Sequence, residues 1–187
     1  MPWVRVGNRC GPGRVAERAP LSGVRVTGLY LGVDPGKKGG LVWLQKNGAI
    51  EQLTPMPLLG GEIDANKLRE LLIEKTPELV VMEKVHSWPT DTPMTAFRFG
   101  WGAGMLEGIF AALCIPYLLV SPPTWQKIML QGVVETKDTK ARALIAAKRL
   151  YPSENFTPPR CRVAHDGLVD AILIARYIIH TGARTPG

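Results

Sequence analysis

The residues Leu29 to Asp34 (LYLGVD) form a short apolar run that stops at Pro35-Gly36, which predicts a buried strand ended by a turn. Gly40 to Leu44 predicts a second strand behind the Gly-Lys-Lys-Gly turn, and Ala49 to Leu53 a third behind Asn47-Gly48, a strong hairpin signal. Glu78 to Met82 (ELVVM) predicts a fourth strand, ended by Glu83, and Tyr117 to Val120 a fifth. Between and after them the apolar positions fall at helical spacing. Asp64 caps a helix whose apolar face is Leu68, Leu71 and Leu72. A long helix runs from about Pro93 to Leu113, shorter ones near Pro123 to Leu130 and Lys140 to Leu150, and a last one from roughly Asp166 to His180. Three hairpin-linked strands followed by alternating helix and strand predict an α/β fold: a mixed five-stranded sheet with helices on both faces. The right-handed crossover rule sets the fourth strand parallel to the first and near it.

With 187 residues the ordered part is one domain, assigned to residues 29–182, with 183–187 as a short tail. Residues 1–28 are rich in Gly, Arg and Pro without a period of 2 or 3.6, and predict a basic, disordered arm. Its acid-poor composition also fits an organelle transit peptide, or translated sequence upstream of a later start. No apolar stretch follows the first charges, as a secretory signal requires, and no apolar run reaches the ~18 residues of a membrane span. The expected location is therefore inside the cell, cytoplasmic, with organelle targeting by the arm left open. Cys10, Cys114 and Cys161 are odd in number and lack metal-ligand spacing, so they are read as reduced thiols.

The formal charge of +7 and pI of about 9.5 point to a polyanionic partner. The charge is clustered. Residues 1–30 carry five arginines against Glu17, and Thr124 to Arg162 carry eight basic residues against three acidic ones.

Two carboxylates close apolar strands: Asp34 ends LYLGVD and Glu83 ends ELVVME. On neighbouring parallel strands they stand one strand spacing apart, roughly 4.8 Å. Ligands of open α/β sheets gather at this edge. Paired carboxylates repel unless a cation lies between them, and hard oxygen donors suit Mg²⁺ or Mn²⁺. A third segment, HDGLVDAILIARY, places Asp166 and Asp170 four residues apart on one helix face, Asp170 among apolar neighbours. Such a set can hold two metal ions for phosphoryl transfer. Each residue also has a plainer reading: Asp34 as turn chemistry, Glu83 as a surface charge, Asp166 as a helix N-cap.

LGVDPGKKGG, VVMEKV and AHDGLVDAILIA resemble, in order and spacing, the three motifs of the RuvC-type Holliday junction resolvases. The resemblance covers about Tyr30 to Thr181. It implies an RNase H-like fold, a homodimer, two divalent metals (Mg²⁺ or Mn²⁺) per site and symmetric nicking of four-way DNA junctions. It carries metal-ligand roles onto Asp34, Glu83 and Asp170. The family's fourth ligand stands three residues before the last Asp, where this chain has Gly167. Asp166, about 40° from Asp170 around the helix, is the expected substitute, and His165, about 140° away, the alternative. The segments SPPTWQK and ETKDTKARALIAAKRL resemble the stretch that supplies two catalytic lysines; Lys127 and Lys140 match best, with Lys137 as a competitor and Arg142 as a further DNA contact. After Glu83 the family places a base-contacting aromatic, here His86 with Trp88 close by. For these basic and aromatic residues, a solvated helix face or simple packing is the competing reading.

Gly100, Gly104 and Gly108 recur every fourth residue on the long helix, beside Phe97 and Trp101, and fit either a dimer seam or tight packing on the sheet. Three rival functions compete: another nuclease of this fold acting on flaps, other branched DNA or RNA; a sugar-kinase or actin type of ATPase; and a catalytically dead DNA-binding module. The second needs another phosphate loop and another half-domain, which the chain lacks. The third is disfavoured by Asp34, Glu83 and Asp170. The sequence names no branch-migration partner.

Overall fold

The five predicted strands stand in one mixed sheet, in a computed structural model that describes residues 6–7, 28–86, 90–134, 138–159 and 161–182. They are β2 (Leu29–Asp34), β3 (Gly40–Gln45), β4 (Ile50–Pro55), β7 (Leu79–Glu83) and β8 (Tyr117–Val120). Antiparallel hairpins join β2 to β3 and β3 to β4, while β7 pairs parallel with both β2 and β8. A two-residue strand, β1 (Val6–Gly7), extends the sheet at the free edge of β8, giving the order β1-β8-β7-β2-β3-β4. Val6–Gly7 belong to the stretch assigned to an arm outside the fold. The rest of 1–27, and the tail, lie outside the described residues. A small hairpin, β5 (Leu58–Leu59) with β6 (Glu62–Ile63), stands apart from the main sheet.

The helices lie on both faces. Against one face pack α1 (Ala65–Glu74) and α2 (Pro93–Ala112), through Leu68, Leu72, Leu106 and Phe110. Against the other pack α3 (Pro122–Met129), α4 (Thr139–Leu150) and α5 (Asp166–Thr181). Strand alternation sorts the core between them. Leu29, Leu31 and Val33 of β2 join the α1–α2 side, as do Val80 and Met82 of β7. Leu79 and Val81 join the α5 side. Trp43, fully buried, donates its indole N–H to the Lys75 carbonyl at 3.0 Å, tying the end of α1 to the sheet.

The helix α5 packs close to the strands. A Cβ on Gly32 would lie 2.1 Å from the Ala171 carbonyl oxygen and 2.4 Å from the Ala175 nitrogen. Only glycine on β2 lets the helix backbone come this near. Among the described residues no helix is long and apolar enough to cross a membrane. Cys161 is an exposed free thiol. Cys114, exposed on a left-handed turn after α2 (φ 54°), is disulfide-bonded, which corrects the reading of that residue as a reduced thiol.

Candidate active site

Asp34 and Glu83 are the last residues of two adjacent parallel strands. Their positions alternate with those facing α1 and α2, so both belong to the face that carries α5. Val33 pairs with Met82, and the next step of that register sets Asp34 beside Glu83. The first turn and a half of α5 adds Asp166 and Asp170. The N-terminus of α5 meets the β2–β3 turn backbone to backbone, through a bridge between Gly39 and Gly167. A Cβ on Gly167 would lie 2.3 Å from the Lys38 carbonyl oxygen and 2.5 Å from the Gly39 Cα. No side chain fits there, so the position that the resemblance assigns to a fourth ligand is closed.

Burial is the largest cause raising the Asp34 carboxyl well above the usual range, followed by the charges of Asp170, Glu83 and Asp166, with Lys140 opposing. Asp170 is pushed up to about 7, first by burial, then by Glu83 and Asp166. Burial also raises Glu83, against the Trp125 indole and His86. The Trp125 Nε1–H donates to Glu83 Oε2 at 2.8 Å, and Trp125 is itself fully buried on α3. Lys140 Nζ donates to Asp166 Oδ2 at 2.6 Å, both side chains being solvent-exposed.

Among the described residues, no three His, Cys, Asp or Glu side chains stand close enough together to hold an ion as placed. Two of the four carboxylates are turned onto protein donors, Glu83 to Trp125 and Asp166 to Lys140. Each keeps a second oxygen. Asp34, Glu83 and Asp170, their proton affinities raised by burial and, for the two aspartates, by neighbouring carboxylates, are together with Asp166 a donor set of the right chemistry for a divalent cation.

A cleft of about 530 Å³ opens beside Asp34, Asp166 and Asp170. Its other walls are the β2–β3 turn with Lys37 and Lys38, the α2 side chains Thr95, Arg98, Phe99 and Met105, and Lys140 at the start of α4. Of the residues expected at the site, Lys140 is therefore brought to the carboxylates. Lys127 is exposed on α3 and does not line the cleft. Arg142 is half-buried on α4, its Nε enclosed without a hydrogen-bond partner among the described residues. His86 is exposed, close enough to Glu83 to act on its charge. His165 is the N-cap of α5, its Nδ1 accepting from the Leu168 N–H at 3.3 Å, so the capping role that Asp166 competed for belongs to its neighbour. Trp88 and Lys137 lie outside the described residues. Trp125, Lys38, Arg98 and Phe99 were not legible as site residues; each reaches the carboxylates or the cleft from a segment outside the three acidic motifs, except Lys38, which sits in the first.

Burial of these carboxylates, with the repulsion between them, affects stability. A carboxyl that binds its proton more tightly when folded favours the folded state at low pH, and that advantage is lost as pH rises through the folded value. The window here runs from about 4, the unfolded value, to the Asp170 value of about 7. Each tenfold change in proton affinity is worth about 1.4 kcal/mol, so the contribution of Asp170 is on the order of 4 kcal/mol. In EDTA the melting temperature therefore falls between pH 5 and 7.5, and Mg²⁺ or Mn²⁺ restores it at pH 7.5 but hardly changes it at pH 5. Thermal melts check this; a flat profile in EDTA, indifferent to either ion, refutes it.

No family model matches the chain, and no curated protein matches it by sequence. Solved structures do match. The Thermus thermophilus RuvC in complex with a Holliday junction substrate superposes with TM-score 0.60 at 17% identity, over 85% of this chain and 99% of that one. A second Thermus thermophilus RuvC structure gives 0.56 at 19% identity, with the same coverage. The yeast mitochondrial Holliday junction resolvase Ydc2 gives 0.52 at 19% identity, over 83% of this chain and 79% of that one. The chain has the RNase H-like fold of the RuvC-type resolvases.

Proposed function

We propose that this chain is a divalent-metal-dependent endonuclease that cuts the phosphodiester backbone of four-way DNA junctions. The observation that carries the reading is the convergence of Asp34, Glu83 and Asp170 at one end of the sheet, their proton affinities raised by burial and, for the two aspartates, by neighbouring carboxylates. The fold shared with junction resolvases, and the side chains of Lys38, Arg98 and Lys140 that line the cleft beside the carboxylates, support the choice of substrate.

Asp34, Glu83, Asp170 and Asp166 would hold two ions, Mg²⁺ or Mn²⁺. When bound, such ions supply an activated water and neutralise charge on the leaving oxygen. The chain's own residues do the rest. The Trp125 N–H fixes one oxygen of Glu83, which leaves the other free for a ligand role. Lys140 at the mouth of the cleft attracts the scissile phosphate and stabilises negative charge building on it. Lys38 and Arg98 on the facing walls bind flanking phosphates, and the exposed Lys127 contacts backbone further along the strand. Asp166 is the fourth ligand rather than His165, whose Nδ1 is committed to capping α5.

Incubation of the protein with a labelled four-way junction and a matched linear duplex, each with Mg²⁺, Mn²⁺ or EDTA, tests this. Metal-dependent cleavage selective for the junction is expected. Equal rates on both substrates leave a nuclease but remove the junction specificity, and activity that survives EDTA removes the metal mechanism.

A four-way junction has two symmetry-related strands to cut, which a C₂ homodimer matches with two sites. On α2 the exposed residues Met94, Phe97, Trp101, Gly104 and Gly108 follow a three-and-four spacing along one stripe. Phe97 and Trp101 are 64% and 66% exposed, with their rings 6.2 Å apart, and a Cβ on Gly104 or Gly108 would meet nothing within 4 Å. An apolar stripe with room for a second backbone forms the seam of the proposed dimer. Gly104→Glu is expected to give a folded monomer. Analytical ultracentrifugation checks this; a wild-type chain that stays monomeric at tens of micromolar (about the range of weak dimers) and on junction DNA excludes the dimer.

A further inference from the structure

We infer that the part of the cleft between the β2–β3 turn and α2 is a nucleotide pocket, which takes one unstacked base beside the phosphate to be cut and holds it on Phe99. The inference rests on the junction-cutting reading and names a subsite for it.

The lining of the cleft mixes two chemistries. It includes the carboxylates Asp34, Asp166 and Asp170. It also includes the apolar Ile63, Phe99, Trp101 and Met105, with Lys38, Glu62 and Arg98. Phe99 is 46% exposed, and its ring edge lies near the turn: a Cβ on Gly36 would stand 3.9 Å from Phe99 Cε1. Gly36 is two residues after Asp34, so the aromatic face and the metal-binding end are neighbours in one cavity. Phosphate binding gives no reason for an open aromatic ring at such a place. A nucleobase does, because every base has a face that stacks. Neither Lys38 nor Arg98 is ion-paired to a described residue, whereas Lys37 is held by Glu62. Two uncommitted cations flanking an aromatic ring complement one nucleotide, its phosphates on the cations and its base on the ring.

Size limits the occupant. A cavity of about 530 Å³ is within the range of small-ligand pockets, roughly 300–1,000 Å³, and too small for a duplex. A base can enter only when it leaves its stack, which costs least where pairing is already broken. The branch point of a junction offers that. Trp101 belongs both to the cleft lining and to the proposed dimer stripe, but Phe99 belongs to the lining alone. Phe99 lies about 160° around the helix from Phe97, on the side shared with Thr95 and Gly102, both of which line the cleft.

The test uses the full chain carrying Asp170→Asn, so that it binds without cutting. Four-way junctions carry 2-aminopurine at single positions on either side of the cut mapped with the wild type. One flanking position is expected to brighten on binding. Adding Phe99→Ala is expected to abolish that rise and weaken junction binding by about tenfold, the order of one base–aromatic stack. Phe99→Tyr restores both. Arg98→Ala lowers the salt dependence of binding by about one phosphate contact. If no flanking position brightens, or Phe99→Ala binds and brightens like its parent, the pocket is overturned while junction binding stands. If the parent binds no junction, the functional reading fails and the pocket with it. If Phe99→Ala changes the sedimentation of the free protein, the ring belongs to a contact between copies and the proposal is overturned.

Discussion

Asp34→Asn, Glu83→Gln and Asp170→Asn each reduce junction cleavage by about a thousandfold or more and leave junction affinity within about threefold of wild type. The first half follows from what each carboxylate contributes. Metal ions in two-ion sites supply several kcal/mol of charge stabilisation, and each 1.36 kcal/mol is worth tenfold in rate. The second half follows from where DNA binds: the phosphate contacts proposed above come from Lys38, Arg98, Lys127 and Lys140, and none of the three substitutions touches them. A further readout separates loss of a ligand from loss of fold. The three carboxylates bind protons more tightly than usual because burial, and for the aspartates their neighbours, disfavour the charged form. Neutral replacements relieve that, so in EDTA at pH 7.5 each variant melts at or above the wild-type temperature. Near-wild-type cleavage by any one variant removes that residue from the site. Asp166→Asn and His165→Ala, assayed beside them, identify the fourth ligand. Asp166→Asn is expected to cost more activity, and His165→Ala to cost about 1 kcal/mol of stability as a lost helix cap.

The parts of the fold read correctly are those where pattern and burial agree. Apolar runs stopping at Asp34 and Glu83 mark strands buried on both faces, and the hairpin turn at Asn47-Gly48 fixes the β3–β4 pairing. Both carboxylates could be placed at one sheet edge because two parallel strands ending in an acid leave little choice of geometry. The elements missed are short or depend on distant partners. Val6–Gly7 form a strand by adding two backbone residues to the edge of β8, and two residues carry no periodicity. The β5–β6 hairpin is as short, with its signal confined to Gly60-Gly61, both at positive φ. Trp125 reaches Glu83 across 42 residues of sequence, so nothing near either residue announces the bond. Phe99 and Arg98 lie in a helix whose apolar residues run nearly all round, which hides which side faces the cleft. The base contacts expected at Trp88 and the lysine at Lys137 lie outside the described residues.

Gly167→Asp, which places an acid where the resembling family carries its fourth ligand, is expected to abolish cleavage rather than strengthen it. By sequence the change looks like a repair, since it restores the spacing of two acids three residues apart on α5. The backbone forbids it. A Cβ at residue 167 meets the Lys38 carbonyl oxygen at 2.3 Å and the Gly39 Cα at 2.5 Å, atoms of the main chain that cannot rotate away. Gly39 has no slack to give, because a Cβ on it would lie 2.0 Å from the Asp34 carbonyl oxygen. The only relief is to lift the first turn of α5 off the β2–β3 turn, and that turn of helix carries Asp166 and leads to Asp170. Overpacking of this kind costs about 1–3 kcal/mol, which for a chain of this length lowers the melting temperature by roughly 2–12 °C. The loss of activity exceeds the loss of stability, since the change displaces two carboxylates from Asp34 and separates groups proposed to hold the metal ions together. Gly167→Ala is the control: it adds the Cβ without the charge and is expected to lose nearly as much activity as Gly167→Asp. Cleavage rates with Mn²⁺ and melting curves for both variants decide the matter. A Gly167→Asp protein that cuts junctions as fast as wild type would show that the β2–β3 turn yields and that position 167 can hold a ligand after all.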